Sequence, residues 1–255
     1  MSIWGKILGG AAGFALGGPL GALIGGIAGH VYDSKRSTEL DGEPSGDPGG
    51  GPGGGPDATK QIGFTIAVIA LGAKLAKADG VVTRDEIAAF RQVFRVPPDE
   101  AKNVARVFDL ARKSALGYQP YARQVAGMFA DNPAVLEELL DCLFHIAKAD
   151  GRFSDEESAY IENVARIFGF GEAEFARIRA ENLGPDAADP YTVLGVAHDA
   201  DDDAVRRAWR TLVRENHPDK LIAEGMPEEF VAIANDKLAT INAAWDRVAQ
   251  QRGLK

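Results

Sequence analysis

Cysteine is nearly absent from this chain: its 255 residues contain Cys142 and no other. A lone thiol excludes a disulfide framework and is compatible with a reducing compartment. Positive charge is also scarce, with 28 lysines and arginines against 37 aspartates and glutamates, a net charge of −9 and an isoelectric point near 5.0. That balance argues against nucleic acid as the main partner. Histidine occurs four times, at His30, His145, His198 and His217, and none stands in the sequence signature of a zinc protease or serine hydrolase. A glycine-rich phosphate loop is missing too, because the glycines belong to an apolar repeat and to a proline-rich tether. These absences predict a protein that is not an enzyme and carries no cofactor.

What is present is strongest near the carboxy terminus. Asp189-Pro190 reads as an N-cap followed by the first helical residue, and Tyr191, Val193 and Leu194 form a short apolar turn that stops at Gly195. Asp199 and Asp201 to Asp203 then supply a cap and negative charge for a second helix, with Val205, Trp209 and Leu212 recurring at helical spacing as core positions. Its other side carries Arg206, Arg207, Arg210 and Arg214, a stripe of cations without an anion. Pro218 cannot continue that helix, so His217-Pro218-Asp219 is expected in a loop. Beyond Met226-Pro227, a long helix is predicted from Phe230, Ile233, Leu238, Ile241, Trp245 and Val248. Two antiparallel helices with a polar tip follow.

The patterns DPYTVLGV, AVRRAWRTLVRENHPDK and INAAWDRV resemble helices I, II and III of a J domain, over residues 189–255. The resemblance implies that His217, Pro218 and Asp219 engage a DnaK-type chaperone and promote its ATP hydrolysis. Arg206, Arg207, Arg210 and Arg214, with Lys220, would dock on its acidic surface.

At the other end, Ile7 to Gly29 carries no charge. At about 1.5 Å per residue it would reach roughly 35 Å as a helix, enough to cross a bilayer. Gly9, Gly13, Gly17, Gly21, Gly25 and Gly29 recur at every fourth position, a smooth strip on which a second helix could pack closely. We therefore expect residues 1–36 to form a membrane anchor that contacts lipid and dimerises through those glycines, as a span or, kinked at Pro19, as a re-entrant hairpin. Lys6 before the run is compatible with a secretory signal, but no A-x-A-like cleavage site closes it. Lys35 and Arg36 after the span favour a cytoplasmic carboxy-terminal side.

Residues 37–58 contain GDPGGGPGGGPD and almost no apolar side chain, so they read as a flexible tether of roughly 25 Å root-mean-square span. Residues 59–181 then form a helical domain with an internal repeat, LAKADGVVTRDEIAAF from Leu75 matching IAKADGRFSDEESAYI from Ile146. Each copy should be a helix stopped at Gly80 or Gly151, a tight turn, and a second helix opened by a capping box, Thr83 with Glu86 or Ser154 with Glu157. Residues 182–188 link this unit to the last one.

The doubled KADG pattern resembles the TerB-like domain of tellurite-resistance proteins, a resemblance that implies a metal held by the acidic loops, with Asp79, Glu86, Asp150 and Glu157 as candidate ligands. Capping already accounts for both glutamates, and an EF-hand's alternating oxygen ligands are lacking. Taken in order, anchor, TerB-like domain and J domain resemble the DjlA-type family of membrane-anchored J-domain proteins. The expectation is an all-α, single-pass inner-membrane co-chaperone with cytoplasmic domains. Its rival is a TerB-type envelope-stress or metal-sensing scaffold with a degenerate J domain.

Overall fold

The computed structural model describes residues 17–22, 56–76, 101–113, 117–149, 151, 153–183 and 188–254. Everything regular among the described residues is helical. In the central unit, α1 (Pro56–Leu75) is apolar on every side from Ile62 to Ala73 apart from Thr65, and Phe64, Ile66, Val68, Ile69 and Leu71 are fully buried in it. A helix without a polar face has to be enclosed. Enclosure comes from α2 (Ala101–Lys113), α3 (Gln119–Met128), α4 (Pro133–Ala147) and α5 (Asp155–Phe168), all packed on α1. The Tyr160 hydroxyl on α5 donates to the Leu71 carbonyl of α1 across 2.9 Å, satisfying a buried polar group. Among the described residues, no helix is long and apolar enough to cross a membrane.

The second copy of the repeat takes the predicted form. Helix α4 stops near Gly151, which adopts φ +77°, and Ser154 caps α5 while Glu157 reaches back to the Ser154 amide at 2.8 Å. This is the capping box read from the sequence. Its counterpart at Gly80, Thr83 and Glu86 lies outside the described residues.

Helix α6 (Glu172–Leu183) leads to the carboxy-terminal unit, made of α7 (Pro190–Val193), α8 (Asp202–Glu215), α9 (Pro218–Ala223), a 3-10 turn (Glu228–Phe230) and α10 (Val231–Arg252). As the caps predict, Asp189 accepts from the Thr192 amide at 2.9 Å and Asp201 from Ala204 at 2.6 Å. Helices α8 and α10 pack over Val205, Ile241, Ala244 and Val248, while Trp209 stacks on Trp245 with centroids 4.7 Å apart.

One expectation is corrected. The proline tripeptide is not an irregular loop: His217 is the N-cap of α9 and Pro218 its first helical residue. Proline fits there because a first-turn amide has no intrahelical acceptor to lose. At the amino-terminal end, Gly17 and Gly18 take φ +53° and +56°, and Pro19 and Leu20 follow in a new helical turn. Left-handed backbone does not continue a right-handed helix through Gly17, while residues 7–16 and 23–29 of the expected span lie outside the described residues. Gln124 on α3 seats the turn, accepting from the Leu20 amide and donating to the Gly17 carbonyl. Of the six glycines in the expected row, Gly9, Gly13, Gly25 and Gly29 lie outside the described residues.

Candidate functional site

The tip of the carboxy-terminal unit is built by a change of helix direction. Asn216 closes α8, is buried, and returns its side-chain amide to the Leu212 carbonyl at 2.9 Å. The chain then turns, and the His217 ring nitrogen Nδ1 accepts from the Asp219 amide at 3.3 Å. Pro218 is buried beneath them. The His217 side chain is 53 % exposed and that of Asp219 90 % exposed. A buried proline thus holds two polar side chains out to solvent, three residues after the last arginine of α8.

Along α8 the cations stay accessible. Arg207 and Arg214 keep about 70 % of their side-chain surface, meeting only Asp201 at 4.0 Å and Glu215 at 3.6 Å. Arg210 is exposed and Arg206 half-buried. Contacts of this kind in water are worth ~0–1 kcal/mol, so the stripe is available to an external anion. Lys220, one turn into α9, pairs loosely with Glu224 at 3.6 Å. All eight residues expected from the sequence at the partner-binding site therefore lie on α8, its cap and the start of α9.

The metal candidates fare differently. Glu157 is spent on the Ser154 cap, and Asp79, Glu86 and Asp150 lie outside the described residues. Among the described residues, no group of three or more histidine, cysteine or carboxylate side chains could hold a metal ion.

A second polar cluster escaped sequence reading altogether. Glu137, Glu138 and Asp141 lie buried on α4, Arg177 and Glu181 on α6, and Lys237 on α10. The Lys237 ammonium donates to Glu137 and, at 2.9 Å, to Asp141; Arg177 forks onto Glu137 and onto Glu181 at 2.6 Å. Burial raises Glu137, yet Lys237 and Arg177 outweigh it and hold the carboxyl down to about 2. Four buried carboxyls thus face two cations. Burial pushes Glu181 up to about 8 and Glu138 well above the usual carboxylate range. Three acids within the apolar run PAVLEELLDCLFHIA were the available signal. Lys237, three residues after Ala234 and four before Ile241, sits on α10's core face.

Comparison with known proteins gives three consecutive matches. Residues 1–41 fit the co-chaperone DjlA transmembrane domain, 65–180 the tellurite resistance protein TerB, and 189–248 the DnaJ domain. Among curated relatives, co-chaperone protein DjlA of Shewanella oneidensis is 30 % identical over 208 residues, covering 75 % of this chain and 79 % of its own. That of Photobacterium profundum is 30 % identical over 222 residues, covering 77 % and 80 %. The protein of the same name from Haemophilus ducreyi is 28 % identical over 234 residues, covering 77 % and 82 %. No solved structure matches at a significant level.

Proposed function

This chain belongs to the DjlA family of membrane-anchored co-chaperones, and on that footing we propose that it binds a DnaK-type chaperone through His217, Pro218 and Asp219 and stimulates its ATP hydrolysis. The observation that carries the reading is the exposure of His217 and Asp219 at the head of α9, directly after the accessible cations of α8. Arg206, Arg207, Arg210, Arg214 and Lys220 supply the positive field that an acidic docking surface requires. The chemistry belongs to the partner: this chain presents a surface and transfers no group itself.

The family's amino-terminal domain places the protein at a membrane. We further infer a single inner-membrane pass with the helical domains on the cytoplasmic side, supported by Lys35 and Arg36 after the apolar run and by the partner's need for ATP. Self-association through the glycines is part of the same proposal. The strip proposed for it is Gly9, Gly13, Gly17, Gly21, Gly25 and Gly29, spaced at every fourth position of the sequence.

The test is ATP hydrolysis by a DnaK-type chaperone under single-turnover conditions, with the full chain in detergent or lipid discs. Full length matters because Met226, Phe230 and Lys237 are buried against the TerB-like domain. Acceleration by the parent and none by His217→Gln is the expected pair of results. Equal acceleration by both would end the assignment.

A further inference from the structure

The buried charges straddle a domain boundary. Glu137, Asp141, Arg177 and Glu181 belong to the TerB-like domain, whereas Lys237 comes from the J domain. Its side chain is 3 % exposed. Around it the apolar surfaces are continuous: Leu221, Met226, Phe230 and Ala234 of the J domain share one core with Phe64 and Phe129 of the TerB-like domain. The backbone approach is close as well. A Cβ on Gly225, which adopts φ +115°, would stand 2.8 Å from the Lys60 Cβ and 3.2 Å from the Phe129 ring. Only residues 184–187 separate the end of α6 from the described start of the J domain, so the occupant of this face is the J domain of the same chain.

Apolar burial favours contact without choosing a register, whereas a buried cation tolerates few positions. Lys237 sits between Glu137 and Asp141, with Glu181 Oε2 3.9 Å away and otherwise without a hydrogen-bond partner. Sliding α10 by a turn would leave an ammonium buried without its anions and Asp141 without a cation, while Glu137 kept Arg177 alone. The docked face also spares the proposed working surface, since His217, Asp219, Arg207, Arg210 and Arg214 remain exposed.

We propose that the acidic cleft between α4 and α6 of the TerB-like domain is a lysine-keyed dock that holds the J domain in one orientation, with its His217–Asp219 tip turned outward. Lys237 is then a positioning residue, and one role of the TerB-like domain is to mount the J domain. The proposal rests on the DnaK-partner reading for its purpose alone, because the dock can be measured with no chaperone present.

The experiment places a protease site at residues 184–187 of the full chain in detergent, cuts it, and asks how much of the amino-terminal piece a carboxy-terminal tag retains. The parent should keep most of it after washing. Lys237→Met and Asp141→Asn should each lower retention at least tenfold, while Asn235→Ala, at an exposed position on α10, should not change it. Separation of the parent's pieces, or retention by Lys237→Met equal to the parent's, would overturn the dock. Should Lys237→Met not fold, the uncut parent still decides by acetic anhydride labelling: Lys237 should react at least tenfold more slowly than Lys220, whose side chain is 40 % exposed. Comparable reactivity would overturn the proposal.

Discussion

Phe230 of the J domain meets Phe64 of the TerB-like domain edge to face, with ring centroids 4.9 Å apart and neither side chain exposed. Phe64 also meets Phe129 at 6.2 Å, so one aromatic cluster closes the core of two domains that match separate family models. Aromatic pairs of this geometry add about 0.5–1.5 kcal/mol beyond the area they bury. Two domains tied at that depth should not unfold independently.

Phe230→Ala should accordingly cost about 3–5 kcal/mol and loosen both domains together. Trp209 and Trp245 are both in the J domain, so with Trp4 replaced by phenylalanine in every sample fluorescence reports that domain, while circular dichroism at helical wavelengths weighs all helices. In a urea titration of the parent the two signals should fall at one midpoint and shift together in the variant. Well-separated midpoints in the parent would show that the shared core does not couple the domains.

His217→Gln should leave the urea midpoint nearly untouched, within about 0.5 kcal/mol, since the ring is half exposed and its one bond is a 3.3 Å cap to Asp219. Stimulation of the DnaK-type ATPase should be lost. Measuring both on the same preparation separates a functional effect from a folding defect.

For the arginines the expected effect is kinetic. Arg207→Ala with Arg210→Ala removes two exposed charges, which should slow association with the chaperone and flatten its salt dependence, because such charges are screened over roughly 8 Å at physiological ionic strength. Surface plasmon resonance across a salt series reads this directly. Unchanged slopes would make the stripe an ordinary solvated helix face.

The caps were legible in the sequence, and so were the core positions of α8 and α10. Ser154 with Glu157 and Asp189 before Pro190 declare their helix starts through local hydrogen bonds, and local rules found them. The helical nature of the His-Pro-Asp tip is not evident from the end of α8, where Pro218 reads as a breaker, although like Pro190 it sits at N1, where a missing amide costs nothing. Lys237 was missed for a different reason. A lysine on α10's core face reads as a snorkelling side chain until its partners are known, and Glu137 and Asp141 lie about a hundred positions earlier. Periodicity says which face is buried and cannot say against what.

The last prediction concerns pH and follows from Glu181. Facing it are Arg177 on its own helix, Glu137, Glu138 and Asp141 on α4, and Lys237 on α10; His145 and Lys148 from α4 and its end, and Asp236 from α10, line the adjoining cavity of about 200 Å³. Burial holds Glu181 protonated up to about 8, whereas an unfolded chain ionises it near 4.5. Between those values the folded protein binds the extra proton. Its contribution is therefore fully present below about pH 4.5 and is lost as pH rises through about 8. Glu137 works the other way, its contribution being lost as pH falls from the ordinary carboxylate range toward about 2. Burial and Lys148 lower His145, which opposes Glu181 around neutrality, so the parent's profile mixes the two. Comparing the parent with Glu181→Gln isolates the wanted part: the amide keeps the shape and cannot ionise. Urea midpoints at several pH values from 5 to 9 should show the parent weakening relative to the variant as pH rises, by roughly 1–3 kcal/mol in all. A constant difference across that range would mean that Glu181 is ionised in the folded protein, with Lys237 and Arg177 together sufficient to hold all three of their carboxylate partners charged.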